Sequence, residues 1–237
     1  MKERVESGFF LLEGVKAIEQ VSSVKGSIDE ILITRGMNID GDRFGCPVRE
    51  ISSSQFLSIS NARAPQGIIA VVKLPSETYS SGLPPEPGSK ILLLENIQDP
   101  GNIGTLLRTA VAFGFSGALL SLQSADPFSP KAVQATAGTV LSLWIRRSDN
   151  YLQIASSLKQ MGYSILSADV KGDSGIDFSR TEKMVVALGN EGSGLTAEIL
   201  KLSEKKFRIP ISSNAESLNV AVSGAIAMFC AKMGYGC

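Results

Sequence analysis

The first of three polar loops runs through Asp99 and Asn102 and leads into a predicted helix that carries Arg108. Long helical side chains lean toward the helix N-terminus, so this guanidinium can meet an anion there, together with the free backbone N–H groups. The local features also fit a structural reading, in which Asn102 is a helix N-cap and Arg108 forms an ion pair or a solvated face. The loop therefore predicts an anion site and leaves the structural alternative open.

A second loop is rich in glycine and follows a predicted buried strand. Residues 188–195 read L-G-N-E-G-S-G-L, and three glycines in six residues indicate a sharp turn or a close approach of the backbone to a ligand. Their order matches neither the dinucleotide-binding fingerprint nor the phosphate loop. Glu191 repels phosphates and suits a hydroxyl or a cationic ligand. The alternative is a tight turn with a solvated carboxylate.

The third loop lies between a predicted strand over residues 206–210 and the closing helix predicted over residues 218–232. It contains I-P-I and then E-S-L-N-V-A. Ser217 at the start of a helix is by default an N-cap. The helix itself is rich in Ala, Ser and Gly, which permits close backbone contact with another element. Taken alone, this stretch indicates a structural role and no catalytic or binding site.

Composition limits the chemistry of these loops. The chain has 237 residues and no histidine, which excludes Ser-His-Asp and Cys-His nucleophile systems and every metal site that needs histidine. It carries 23 Lys+Arg against 23 Asp+Glu, so the overall charge does not indicate a nucleic-acid partner. Its three cysteines favour reduced thiols, and no apolar run reaches membrane-spanning length. We expect an intracellular protein, either cytoplasmic or, if a targeting segment has been removed, organellar.

Two domains are predicted to position the loops. Residues 1–75 form a small α+β domain, with a helical period over residues 11–20 and strands over residues 30–34 and 67–73. Residues 76–89, rich in Pro, Gly and Ser, form a semi-rigid linker. Residues 90–237 alternate apolar strands and helices, which is typical of an α/β fold with a mostly parallel sheet. Ligands bind at the carboxyl ends of such strands, where all three loops lie.

In this order and spacing, the motifs D-P-G-N-I-G-x-x-x-R-T-A, L-G-N-E-G-x-G-L, and I-P-I followed by E-S-L-N-V-A resemble the SpoU/TrmH-type RNA ribose 2′-O-methyltransferases of the SPOUT superfamily. The resemblance covers residues 91–235. In the first domain, F-L-L-E-G-V-K-A-I and P-Q-G-I-I-A-V-V resemble the L30e-type substrate-binding module that often precedes the catalytic domain. The resemblance implies a C-terminal trefoil knot, S-adenosylmethionine as cofactor, an RNA substrate with rRNA favoured over tRNA, and a homodimer through the last helices.

The resemblance also implies roles for individual residues. Arg108 has the central role, as base or as stabiliser of the phosphate and alkoxide, and a guanidinium is poorly suited to be a base. Asn102 positions the ribose or the arginine, Glu191 bonds the RNA or the cofactor side of the pocket, and Ser217 with Asn219 completes the site. The implied cofactor pocket consists of Leu188, Gly189, Asn190, Gly192, Ile209, Pro210, Ile211, Ser217, Leu218 and Asn219. Arg108 and Lys131 are the implied RNA contacts, and no metal is implied.

Two other functions stay open at this point. The first is a knotted protein that binds RNA or ribosomal particles without turnover. A binding-only relative could have lost the site residues, so their presence argues against it; they are Asn102, Arg108, Glu191, Ser217 and Asn219. The second is a nucleotide-dependent metabolic enzyme, which the missing phosphate-loop and dinucleotide signatures oppose. One departure bears on the RNA: family members commonly carry a Lys-x-x-Arg-like pair where this chain has Lys131 followed by Gln134.

Overall fold

The first part of the chain is built on a four-stranded sheet. The structure is a computed structural model that describes residues 2–39, 43–62, 64–175, 178 and 181–235. The strands are β1 (Phe9–Glu13), β2 (Ile28–Thr34), β3 (Val48–Ile51) and β4 (Ile68–Lys73). The helices are α1 (Lys2–Ser7), α2 (Val15–Ser22) and α3 (Ser53–Ile59). The sheet order is β1-β4-β2-β3, and β2 and β3 run parallel while the other pairs are antiparallel.

The helix that the sequence predicts over residues 11–20 is wrong in its first half. Leu11 and Leu12 lie in β1, where alternate side chains enter the core and Phe10 and Leu12 are buried. Gly14, with a φ of 102°, ends the strand and allows α2 to begin at Val15. An apolar pair next to a helical period fits both structures, and pairing with β4 selects the strand.

The second part of the chain contains a six-stranded sheet in which all neighbouring strands are parallel. The strands are β5 (Lys90–Leu94), β6 (Gly117–Ser121), β7 (Trp144–Ser148), β8 (Ser164–Asp173), β9 (Met184–Leu188) and β10 (Lys205–Phe207). The helices are α4 (Pro100–Ala112), α5 (Pro130–Thr136), α6 (Tyr151–Gln160), α7 (Ala197–Leu202) and α8 (Val220–Met233). The predicted α/β fold with a mostly parallel sheet is confirmed.

A parallel sheet whose strand order reverses has a crevice at the point of reversal, and here that point lies between β5 and β9. The order is β10-β8-β9-β5-β6-β7, so the chain proceeds from β5 in one direction and later returns to place β9 on its other side. The two strand ends are joined, since the backbone N–H of Glu95 donates to the carbonyl of Leu188 at 2.9 Å. Ligands of parallel sheets bind where the order reverses in this way. The trefoil knot stays a prediction.

Residues 76–89 lie against the second sheet and bond to it. Trp144 and Arg146 of β7 donate from their side chains to the carbonyls of Pro87 and Gly82, at 2.9 and 2.6 Å. Tyr79 donates to Asp126 at 3.2 Å, and burial together with this carboxylate raises the pKa of Tyr79 to about 12. Buried apolar side chains of the first and the second sheet belong to one core. The domain boundaries themselves stay a prediction.

Candidate active site

Side chains from all three loops form one hydrogen-bonded chain at the crevice between β5 and β9. The amide nitrogen of Asn102, on α4, donates to Glu191 Oε1 at 2.8 Å. The amide nitrogen of Asn219, at the start of α8, donates to Asn102 Oδ1 at 3.2 Å. These three residues are far apart in the sequence, so the fold itself assembles the polar centre that the motifs predict.

The predicted N-cap of α4 is wrong, and the difference explains how Asn102 reaches Glu191. Asp99 caps the helix, because its side chain accepts from the backbone N–H groups of Gly101 and Asn102 at 2.6 and 3.0 Å and Pro100 occupies the first turn. Lys131 donates to Asp99 at 2.7 Å, and this bond keeps the pKa of the Asp99 carboxyl below its ordinary value. Asn102 therefore lies inside the helix with its amide free for the site.

The predicted N-cap of α8 is also wrong. Asn219, and not Ser217, accepts from the backbone N–H groups of Ala221 and Val222, at 2.8 and 3.3 Å. Because the Asn219 side-chain oxygen accepts these bonds, its amide nitrogen is the group that donates to Asn102. Ser217 is exposed, lies three residues before the first residue of α8, and makes no hydrogen bond with any described residue. The structure thus brings Asn219 into the polar chain and leaves Ser217 outside it.

The loop after β9 is closed on itself. Asn190 and Gly194 exchange backbone hydrogen bonds of 3.1 and 2.9 Å, and Asn190 Oδ1 accepts from the N–H of Gly192 at 2.9 Å. The Asn190 amide nitrogen donates to the carbonyl of Asn96 at 2.9 Å. A Cβ on Gly189 would lie 2.3 Å from the carbonyl carbon of Gly194, so only glycine fits there. The loop is therefore held in one shape against the end of β5.

The strand predicted over residues 206–210 is too long. β10 ends at Phe207, because its pairing with β8 shifts register between Lys206 and Phe207 and the chain leaves the sheet. Ile209 and Pro210 therefore belong to the segment that leads to α8. Ile209 and Leu218 are half-buried, and Ile211 is 41% exposed. This segment adds apolar surface beside the polar chain.

Arg108 and Lys131 differ in whether their charged groups already have a partner in the protein. Arg108 is exposed on α4, and its side chain forms no hydrogen bond or ion pair with any described residue, so the structural interpretation as an ion pair does not apply. Lys131 is also exposed, but its ammonium is bound to Asp99. Arg108 is thus available to an anion as the structure stands, while Lys131 must leave or share Asp99 to bind one.

Glu95 is a buried residue of the site that the sequence interpretation missed. Its carboxylate accepts from the Tyr151 hydroxyl at 2.5 Å and from the hydroxyl and backbone N–H of Thr196, both at 2.7 Å. Burial, and then this carboxylate, raise the pKa of Tyr151. The available signal is a glutamate directly after the apolar run I-L-L-L, where a charge is costly unless it is bonded. Glu95 ties the end of β5 to the end of the glycine loop.

We expect Glu95→Ala to lower the free energy of unfolding by about 3 kcal/mol, because it leaves a buried hydroxyl and a backbone N–H unpaired. Glu95→Gln keeps an acceptor for the N–H of Thr196, so its loss is expected to be less than half as large. Urea denaturation followed by circular dichroism measures both. Equal losses for the two variants would contradict the assigned bonding.

Among the described residues, no group of three or more Cys, Asp or Glu side chains is arranged to hold a metal ion. Within the same part of the chain, no helix has the length and apolar character needed to cross a membrane.

Known protein families match both parts of the chain. Residues 89–229 match the SpoU rRNA Methylase family, and residues 1–70 match the MRM3-like substrate binding domain. The 23S rRNA (guanosine(2553)-2′-O)-methyltransferase RlmP of Bacillus subtilis is 30% identical over 230 residues, which are 96% of this chain and 90% of that protein.

Solved structures match nearly the whole chain. An AdoMet-bound rRNA methyltransferase from Sinorhizobium meliloti is 26% identical, with a TM-score of 0.81, over 98% of this chain and 90% of that one. The SpoU methyltransferase AviRb from Streptomyces viridochromogenes, in complex with AdoMet, has a TM-score of 0.84 over 98% of this chain and 92% of that one. At 22% identity, AviRb supports the fold alone.

Proposed function

The chain belongs to the SpoU rRNA methylase family, and from that membership we propose that it transfers the methyl group of S-adenosylmethionine to a ribose 2′-hydroxyl of RNA. The observation that carries the proposal is the hydrogen-bonded chain of Glu191, Asn102 and Asn219 at the crevice between β5 and β9. Ribosomal RNA is favoured over transfer RNA, since the Bacillus subtilis relative acts on 23S rRNA. We expect the enzyme to act inside the cell, where that substrate is found.

The crevice fits S-adenosylmethionine. The backbone N–H groups of Gly189, Ile209 and Leu218 make no hydrogen bond with any described residue, although all three residues are half-buried. Backbone N–H groups without a partner in the chain are available to a ligand. The side chains of Ile209 and Leu218 offer apolar contact to an adenine, and the Glu191 carboxylate is compatible with a cationic group. S-adenosylmethionine supplies an electrophilic methyl group on a sulfonium.

The residues of the chain then position the ribose and handle one proton. Methyl transfer to a hydroxyl is an in-line displacement, so most of the catalysis is positioning. The guanidinium of Arg108 binds the RNA phosphate and stabilises the developing alkoxide. Asn102, with its amide fixed by Glu191 and Asn219, orients the ribose. In the absence of histidine, the proton leaves to the Glu191 carboxylate, an RNA phosphate or water.

Calorimetry and methyl transfer together test this function. We expect S-adenosylhomocysteine to bind the purified protein and labelled S-adenosylmethionine to methylate ribosomal RNA. Tight binding of NAD with no response to S-adenosylhomocysteine would contradict the proposal. Binding of S-adenosylhomocysteine and RNA without any transfer would favour the binding-only alternative.

We also propose that the chain forms a homodimer through α8. Val222, Phe229 and Met233 expose 43–50% of their surface along one side of this helix, and the ring of Phe229 lies 6.1 Å from that of the exposed Tyr235. The opposite side is buried, and a Cβ on Gly224 would lie 2.3 Å from Leu106. A helix that is apolar all round needs cover on both sides.

Light scattering during gel filtration is expected to give about twice the chain mass of 25.1 kDa. Val222→Glu places a charge on the exposed side of α8 and is expected to give a monomer at micromolar concentration. Val170→Glu is the matched control, because Val170 is an apolar residue that is 76% exposed and lies in β8, outside the proposed interface. This variant is expected to stay dimeric. A monomeric wild-type protein would contradict the proposed interface.

A further inference from the structure

Asn96, the second residue after β5, has an uncommon backbone conformation at the crevice between β5 and β9. Its φ is 57°, in the left-handed region that residues with a Cβ rarely adopt and that Asn tolerates better than most. The residue is half-buried and directly follows the buried Glu95. Such conformations persist where the surrounding bonds hold them, and they are concentrated at functional sites.

Two buried serines after β5 and β6 hold Asn96 in this conformation. The hydroxyl of Ser121 accepts from the backbone N–H of Asn96 at 2.9 Å and donates to Asn96 Oδ1 at 3.0 Å. The hydroxyl oxygen of Ser124 lies 3.1 Å from that of Ser121, and Ser124 donates to the carbonyl of Leu94 at 3.1 Å. Because both serines are buried, their hydroxyls depend on these partners. The side chain and the N–H of Asn96 are thus both anchored to the end of β6.

The carbonyl of Asn96 is bonded to the glycine-rich loop. It accepts from the amide nitrogen of Asn190 at 2.9 Å. Asn190 Oδ1 in turn accepts from the backbone N–H groups of Gly192 and Ser193, at 2.9 and 3.1 Å. The dihedral angles of Asn96 set the direction of its carbonyl, so another conformation would move this acceptor away from Asn190. A continuous series of bonds therefore leads from β6 through Asn96 to the loop that carries Glu191.

We propose that Asn96 is a positioning residue of the cofactor site. Its left-handed conformation, and not a contact between its side chain and the cofactor, holds Asn190 and thereby the loop of residues 189–194. The inference rests on the proposed function, because it takes S-adenosylmethionine as the ligand of this loop.

Two substitutions of Asn96 separate the conformation from the side chain. Asn96→Ala disfavours the left-handed conformation and removes the acceptor for Ser121, so S-adenosylhomocysteine is expected to bind about tenfold more weakly. Asn96→Gly removes even more of the side chain but adopts the conformation freely, and its affinity is expected to stay within about twofold of the wild-type value. A side chain that touches the ligand or fills space would give the opposite order or equal losses.

The kinetics of methyl transfer are expected to show the same selectivity. In Asn96→Ala, the KM for S-adenosylmethionine should rise by about tenfold while kcat stays within about twofold. The reason is that Asn102 and Asn219 lie outside the loop and keep their hydrogen bond.

A double variant tests whether Asn96 acts through Asn190. Asn190→Asp keeps the oxygen that accepts from Gly192 and Ser193 and removes the donor to Asn96, so a loss of about tenfold is expected here too. Adding Asn96→Ala to this variant should weaken binding by less than about a further twofold.

Asn150→Ala is the matched control. Asn150 is the second residue after β7, at the same edge of the sheet, and its side chain also bonds to a serine, Ser81, at 3.1 Å. Its φ is −85°, outside the left-handed region. The affinity for S-adenosylhomocysteine is expected to stay unchanged.

Hydrogen exchange of the free protein gives a measurement that needs no cofactor. In the peptide that contains residues 188–195, Asn96→Ala and Asn190→Asp should speed amide exchange by about tenfold, and Asn96→Gly should not. Mass spectrometry measures the exchange, and calorimetry with S-adenosylhomocysteine measures the affinities.

Equal losses of affinity in Asn96→Gly and Asn96→Ala would overturn the proposal, as would additive losses in the double variant or unchanged exchange in Asn96→Ala. A wild-type protein that shows the expected pattern of exchange but does not bind S-adenosylhomocysteine would contradict the methyltransferase function and still support the control of the loop by Asn96.

Discussion

Arg108→Ala is expected to lower the rate of methyl transfer by about 10²–10³-fold, the usual effect of removing one group that stabilises developing charge. The affinity for S-adenosylhomocysteine should change less than about twofold, because Arg108 is exposed and bonds to no described residue. Single-turnover methylation of ribosomal RNA measures the rate, and calorimetry measures the affinity. The combination identifies Arg108 as a group that acts on the RNA and not on the cofactor.

Two further variants sharpen the Arg108 result. Arg108→Lys keeps the positive charge but loses the planar array of guanidinium donors. Its rate of methyl transfer is therefore expected to lie between those of the wild-type protein and Arg108→Ala. Arg49→Ala removes an exposed arginine that pairs with Glu30 in the first sheet, and is expected to leave the rate unchanged. A large loss of S-adenosylhomocysteine affinity in Arg108→Ala would move this residue out of the RNA site.

Gly189→Ala is expected to weaken the binding of S-adenosylhomocysteine by roughly 10²-fold, since a displacement of about 1 Å at a positioned site costs that much. The new Cβ would lie 2.3 Å from the carbonyl carbon of Gly194, which is backbone and cannot rotate away. The loop must open, and the backbone N–H groups that we propose bind the cofactor shift with it. Calorimetry measures the affinity, and circular dichroism checks that the protein is still folded.

Other glycines provide the comparison for Gly189. Gly192→Ala in the same loop meets only the side chain of Asn190, at 3.5 Å, and its effect is expected to be at least tenfold smaller. Gly82→Ala lies outside the site, where the nearest atom is 4.0 Å away, and is expected to leave the affinity unchanged. If Gly189→Ala binds as tightly as Gly192→Ala, the tight packing of this loop is not what shapes the cofactor site.

The sequence predicts the second sheet and the residues of the polar centre well. Apolar strands that alternate with helices leave few alternatives, and the buried strand predicted ahead of the glycine-rich loop is β9. The motifs also identify Asn102, Glu191 and Asn219, which the fold joins by direct hydrogen bonds. Spacing within each motif is a local property, and local properties can be read from a sequence.

Properties that depend on distant partners could not be predicted. Neither helix cap follows from the local sequence, because Asp99 and Asn219 each lie within three residues of another good cap residue. In the fold, both capping residues are also bonded to distant side chains, those of Lys131 and Asn102. Glu95 was missed because its donors come from Tyr151 and Thr196, more than 50 residues away.

The most direct test of the account compares 2′-O-methyl groups across total RNA from cells with and without the gene. Deletion is expected to remove methylation from a ribose of ribosomal RNA, and the wild-type gene to restore it where Arg108→Ala does not. Identical maps of ribose methylation with and without the gene would contradict the account.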